Sequence, residues 1–157
     1  MTMTRSVIIL LAALLSGTGQ AVSADPAIVF VCEHGAAKSV IATAYFNKIA
    51  EERGLTWRAT FRGTSPQEAL SVKTLEGLRN DGVAIPDGRP AALGDSDVKA
   101  ATHIFAIGCN LPAKANASGK AADWTDVPEV SDGYAAARDA IRRHVEQLID
   151  ALQRVRG

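Results

Sequence analysis

Val29-Phe30-Val31-Cys32-Glu33-His34-Gly35-Ala36-Ala37-Lys38-Ser39 runs from a strand, through a turn of mostly small residues, into a helix. Ala27 to Cys32 is a short apolar run rich in β-branched residues, the pattern of a strand covered on both faces. From Ser39 to Arg53 the apolar residues Val40, Ile41, Ala44, Tyr45, Ile49 and Ala50 recur at helical spacing. A cysteine at the carboxyl end of such a strand stands where α/β proteins place ligands. Successive amides of the loop Glu33, His34, Gly35, Ala36 and Ala37 can converge on an anion, and the helix adds the positive end of its dipole. The same field favours a thiolate at Cys32. Lys38 adds a cation, and Ser39 a hydroxyl able to donate to the sulfur. The plainer alternative for Cys32 is a small buried hydrophobe or half of a disulfide. For His34 it is a polar loop residue, set against assistance to Cys32 or a metal.

Working outward, Trp57 to Phe61 reads as a second strand, stopped by Gly63-Thr64-Ser65-Pro66. Ser71 to Leu78 reads as a helix and Asp95 to Ala101 as a short one, followed by a buried-type strand from Thr102 to Ile107. Gly108 to Asp132, rich in Ala, Gly, Asn, Pro and Asp, is expected to be a long loop, and long loops are often functional. The last helix spans Tyr134 to about Val155, with Tyr134, Ala137, Ile141, Val145, Leu148, Leu152 and Val155 in steps of three or four. Arg138, Arg142, Arg143 and Arg154 read as its solvated side. Strands alternating with helices make one α/β domain with a mainly parallel sheet.

The N-terminus is read separately. Met1 to Ala24 carries one positive charge, Arg5, then an apolar run from Val7 to Leu15, and ends in Val22-Ser23-Ala24. That order is expected of a signal peptide over residues 1–24, cleaved before Asp25, with the folded domain over residues 25–157. As a helix the apolar run would rise only about 14 Å, against a hydrocarbon core of about 30 Å, so no stable membrane insertion is expected after cleavage. Export to the periplasm or the medium follows, where nearby thiols can pair. The chain's 157 residues hold 17 basic and 17 acidic side chains, a balance that argues against a nucleic-acid partner. Two cysteines cannot build a disulfide framework, and no cluster of metal ligands is evident. A nucleotide P-loop is excluded, because Ala37 stands where the glycine before its lysine belongs.

Cys32, five intervening residues, a cation at Lys38 and a hydroxyl at Ser39 resemble the phosphate-binding loop of the low-molecular-weight protein tyrosine phosphatases. Thioredoxin-coupled arsenate reductases share that fold and loop. Phe61-Arg62-Gly63-Thr64-Ser65-Pro66 is similar to the family's Gly-Thr turn, and Ile107-Gly108-Cys109 to the segment holding the reductases' first resolving cysteine. Trp124 through Glu129, leading into Asp132-Gly133-Tyr134, resembles their Trp…Asp-Pro loop and final helix. The resemblance covers essentially residues 25–157. It implies a three-layer α/β fold with a mainly parallel four-stranded sheet flanked by helices.

The departures are specific. Lys38 replaces the family's loop arginine, a planar fork that grips two phosphoryl oxygens where lysine is a point charge. Gly35 replaces a bracing asparagine, and Glu33 adds a negative charge. Glu129-Val130 takes the place of the general-acid Asp-Pro, with Asp126 and Asp132 nearby as alternatives. No third cysteine follows Cys109.

What the resemblance implies is a phosphomonoester hydrolase of the tyrosine phosphatase type, working through a phosphocysteine at Cys32 with no cofactor. Lys38 and Ser39 would serve the loop, and Glu129 would serve as acid and base. Two other readings stay open. One is an arsenate reductase-like oxidoreductase passing oxidation from Cys32 to Cys109 with a thiol donor as partner; Cys109 is equally readable as a core residue. The other is a non-catalytic oxyanion binder.

Overall fold

A strand that is apolar on both faces needs a packed layer on each side. In the computed structural model, which describes residues 27–156, β1 (Ala27–Cys32) has both. It is interior to a four-stranded parallel sheet with β2 (Arg58–Gly63), β3 (His103–Ile107) and β4 (Ala121–Trp124), in the order β2-β1-β3-β4. Side chains alternate across the pleat. Ile28 and Phe30 enter the larger core cluster, shared with α1 (Lys38–Glu52), α2 (Val72–Asn80) and α5 (Tyr134–Arg156). Val29 and Val31 enter a smaller one beneath the short helices α3 (Asp95–Ala100) and α4 (Ala113–Ala117). Phe30 anchors the larger cluster, its ring centroid 5.3 Å from that of Trp124 and 5.7 Å from that of Phe105. Residues 1–24, expected to be a signal peptide, lie outside the described residues. No helix among the described residues is long and apolar enough to cross a membrane.

The stretch from Gly108 to Asp132 is not the continuous loop its composition suggests. It holds α4 and the edge strand β4, whose Ala121-Ala122-Asp123-Trp124 carries little β-propensity and is held by pairing with β3. β2 runs to Gly63 rather than stopping at Phe61, because Gly63 pairs with Cys32. On α5, Ile149 is buried and Val155 is 88% exposed, since the last turn runs past the core.

β2 is the other edge, and the outward backbone groups of its Ala59 and Gly63 are occupied. The Asn47 side chain donates to the Ala59 carbonyl at 3.1 Å and accepts from the Ala59 amide at 2.8 Å. Further along, Gly63 exchanges bonds with Ala91 and Leu93. An amide side chain acting as a short mock strand blunts an edge that would otherwise recruit another chain.

One polar cluster ties three helices together. Asp81, just past α2, accepts from Tyr45 of α1 at 2.7 Å, Tyr134 of α5 at 2.8 Å and Arg138 of α5 at 3.0 Å. Arg138 therefore does not sit on a solvated face. Burial pushes the Asp81 carboxyl up, but the two hydroxyls and the guanidinium outweigh it and hold it below the ordinary range. A depressed folded-state value contributes stability above the unfolded-state value and loses it as pH falls through the folded one. Asp81→Asn is expected to cost about 2 kcal/mol at pH 7. The gap to wild type should narrow on acidification below about pH 4, the unfolded carboxyl range. Asp126 and Asp139, also held low, add acid sensitivity common to both proteins. Urea titrations at stepped pH would show it; a gap unchanged down to pH 3 would count against this account.

Candidate active site

In the order β2-β1-β3-β4 the chain leaves β1 and β3 in different directions, so a crevice opens beyond their carboxyl ends. Residues 33–37 follow β1 and Gly108 follows β3. A cavity of about 520 Å³ lies there, its wall including Cys32, Lys38, Gly108 and Glu129. A larger groove, about 660 Å³ between α1 and residues 82–89, contains neither cysteine and mixes charges of both signs.

Cys32 is buried at the end of β1, its Sγ 3.1 Å from the Ser39 Oγ. The loop after it is shaped by its carbonyls. Those of Cys32, Glu33, His34 and Ala36 accept from the amides of Thr64, Ser65, Gln67 and Ser71 at 2.7–3.2 Å. In a trans peptide the C=O and the following N–H point in opposite directions, and no described peptide is cis. The N–H groups of Glu33, His34, Gly35 and Ala37 are therefore turned away from the segment that anchors the loop. Among the described residues, none of the amides of residues 33–37 donates to another backbone group. Lys38 and Ser39 open α1, where first-turn amides have no partner within a helix, and Ala37 supplies no side-chain cap. A row of free amides beside a sulfur suits a tetrahedral oxyanion.

Gly35 stands where a bracing side chain was expected to be missed. Its φ of +58° is left-handed, and a Cβ there would lie 2.8 Å from the Gly63 amide nitrogen. The bracing is backbone on backbone. A side chain at position 35 would prevent it.

Lys38 is almost fully buried, yet its ammonium is paired, 2.5 Å from Glu129 Oε1. It sits so close over Gly108 that a Cβ on that residue would lie 2.9 Å from Nζ. Of the three candidate carboxylates, only Glu129 lines the cavity. Asp126 instead bonds His144 at 2.5 Å, a contact that pulls its carboxyl below the ordinary range, and that imidazole stacks on Trp124. Asp132 sits in the turn after Glu129, its amide donating to the Glu129 carbonyl at 3.1 Å.

Cys109 does not share the Cys32 cavity. It lines a separate hollow with Leu111 and Asp123, packs against the Val29–Val31 cluster, and its Sγ lies 3.4 Å from the Val31 carbonyl. Burial, helped by the nearby negative groups, pushes its thiol up to about 11. Both cysteines are free thiols. His34 lies on the exposed rim, Nδ1 3.3 Å from the Ser65 carbonyl. No group of three metal-ligating side chains occurs among the described residues.

Sequence reasoning overlooked Gln67, Ser71 and Lys73, which line the same cavity. Lys73 reaches across it to the Ser131 carbonyl at 2.9 Å. Only the Ser-Pro turn before α2 hinted that this segment mattered.

The sequence model of the family described as low molecular weight phosphotyrosine protein phosphatase matches residues 27–156. The structure is similar to that of YfkJ from Bacillus subtilis, with a TM-score of 0.73 and 19% identity over 86% of this chain and 99% of that one. It is also similar to a low molecular weight phosphotyrosine phosphatase from Vibrio cholerae O395, with a TM-score of 0.71 and 17% identity over 82% and 97%. A thioredoxin-dependent arsenate reductase from Corynebacterium glutamicum gives a TM-score of 0.68 and 24% identity over 86% of this chain and 65% of that one. At these identities the shared property is the fold. No curated protein sequence matches the chain.

Proposed function

The chain belongs to the low molecular weight phosphotyrosine protein phosphatase family, and from that premise we propose that it hydrolyses phosphomonoesters at Cys32 after export. The observation carrying this reading is the loop whose carbonyls are anchored outward while its amides stay free beside a buried cysteine. Substrate phosphate rests on those amides, close to Lys38. The Cys32 sulfur attacks phosphorus, an S–P bond forms, and the ester P–O bond breaks. The Glu129 carboxyl gives its proton to the leaving oxygen. Its carboxylate then takes a proton from water, which attacks phosphorus and releases inorganic phosphate and the Cys32 thiolate. Ser39 steadies the sulfur as its charge changes, and the amides hold the equatorial oxygens.

Cys109 supports hydrolysis over a thiol relay. A resolving cysteine attacks as a thiolate, and this one is held protonated by burial, in a different hollow. The test is turnover of p-nitrophenyl phosphate, and of arsenate with a dithiol donor, by wild type and Cys109→Ser. Both proteins should hydrolyse the aryl phosphate equally, and neither should outperform the other on arsenate. Arsenate reduction that depends on Cys109 would overturn the proposal in favour of the relay, and binding of phosphate without any turnover would leave an oxyanion-binding protein.

A further inference from the structure

The cation expected to receive the oxyanion is already engaged by an anion of the protein. Lys38 is 7% exposed in its side chain, whereas its partner Glu129 is 63% exposed. The lysine is thus fixed and the carboxylate is the member free to leave. The ammonium has little freedom of its own, enclosed by the helix start that carries it and by Gly108, which lacks the Cβ that would strike Nζ. Glu129 belongs to a short segment strapped to the rim at a second point, where Lys73 donates to the Ser131 carbonyl. Asp132 closes a turn back onto the Glu129 carbonyl. The carboxylate is therefore delivered to the cavity by a held segment, not by chance of a wandering side chain.

We propose that Glu129 is a built-in competitor for the oxyanion site, so that binding exchanges its carboxylate on Lys38 for the ligand. The proposal rests on the oxyanion reading of the Cys32 loop given above. A lysine ammonium is a point charge that can be shared but not doubled in strength. An incoming anion must therefore displace the carboxylate or accept its repulsion. A weak anion gains little by replacing one carboxylate with another single charge. A doubly charged oxyanion, which also engages the loop amides, gains on both counts. The exchange lowers affinity for every anion by a common factor, which keeps weak and abundant ones off the loop. It also frees the Glu129 carboxylate beside the bound phosphoryl group, where it takes up a proton from water before serving as the acid.

Competition and acid catalysis predict opposite signs for one substitution. Glu129→Gln should tighten inorganic phosphate at least tenfold by calorimetry, while kcat on p-nitrophenyl phosphate falls and KM falls with it. Asp126→Asn removes the same charge outside the cavity and should change neither. The effect should also run through Lys38. In a Lys38→Met background, Glu129→Gln should alter phosphate affinity less than twofold, whereas simple repulsion would persist there. Weaker or unchanged phosphate binding by Glu129→Gln, or an undiminished gain in the Lys38→Met background, overturns the proposal. A tightening that appears in a protein without turnover would uphold it and remove the hydrolytic reading alone. Absence of phosphate binding in all five proteins would remove both.

Discussion

Cys32→Ser is expected to reduce turnover of p-nitrophenyl phosphate by at least about 10³-fold, the scale on which loss of a covalent nucleophile is felt. The serine hydroxyl fits the same space and keeps a partner in Ser39, so the fold should be undisturbed. What it lacks is an accessible anion. A thiolate forms near neutral pH with modest help, while an alkoxide does not, and nothing near residue 32 acts as a strong base to make one. Inorganic phosphate should still bind within a few fold of wild type, because the amides that hold it come from residues 33–39 and their orientation is set by bonds from residues 64–71. Retention of more than about a tenth of the turnover would mean that the sulfur does not attack phosphorus. Loss of phosphate binding together with turnover would mean that the sulfur builds the loop and does not act upon its contents.

Much of this site could be read before the fold was known, and the reason is local. Cys32, the small-residue loop and the start of α1 are contiguous, and hydrophobic periodicity alone marks where a strand gives way to a helix. What escaped notice depends on contacts distant in sequence. Lys73 and Gln67 reach the cavity only because β2 pairs with β1 in a register that puts Gly63 beside Cys32. Arg138 looks like surface until Asp81 is seen to lie opposite it. β4 has no residue pattern of a strand, and its place is dictated by an open edge on β3. Asp126 and Glu129 are indistinguishable as loop carboxylates in one dimension. The His144 side chain on α5 is what draws the first away. The loop's bracing is the subtlest case. It runs through carbonyl and amide groups that every residue possesses, so no residue type announces it.

That bracing has a sharp consequence at Gly35, where alanine is expected to cost about 2–4 kcal/mol of stability, combining a left-handed backbone with a close clash, and about 10²-fold in turnover. Two separate penalties meet there. The left-handed φ of +58° disfavours any Cβ, at roughly 1–2 kcal/mol. The added carbon would also lie 2.8 Å from the Gly63 nitrogen and 3.0 Å from the Arg62 carbonyl carbon. Both are backbone atoms of β2, which cannot rotate aside as a flexible side chain would. Relief requires the loop to lift from β2, stretching the bonds from Thr64 to the Cys32 carbonyl and from Ser65 to the Glu33 carbonyl. Those same bonds turn the loop amides toward an anion, so stability and chemistry should fail together. Gly54→Ala separates the two penalties. Its φ is +67°, but a Cβ there meets nothing within 4 Å, so it should show only the backbone cost and keep full turnover. Urea unfolding and initial rates on the two variants decide the matter. If Gly35→Ala proves as mild as Gly54→Ala on both measures, the close approach of the loop to β2 does not hold the amides in place, and the cradle must be organised by something else.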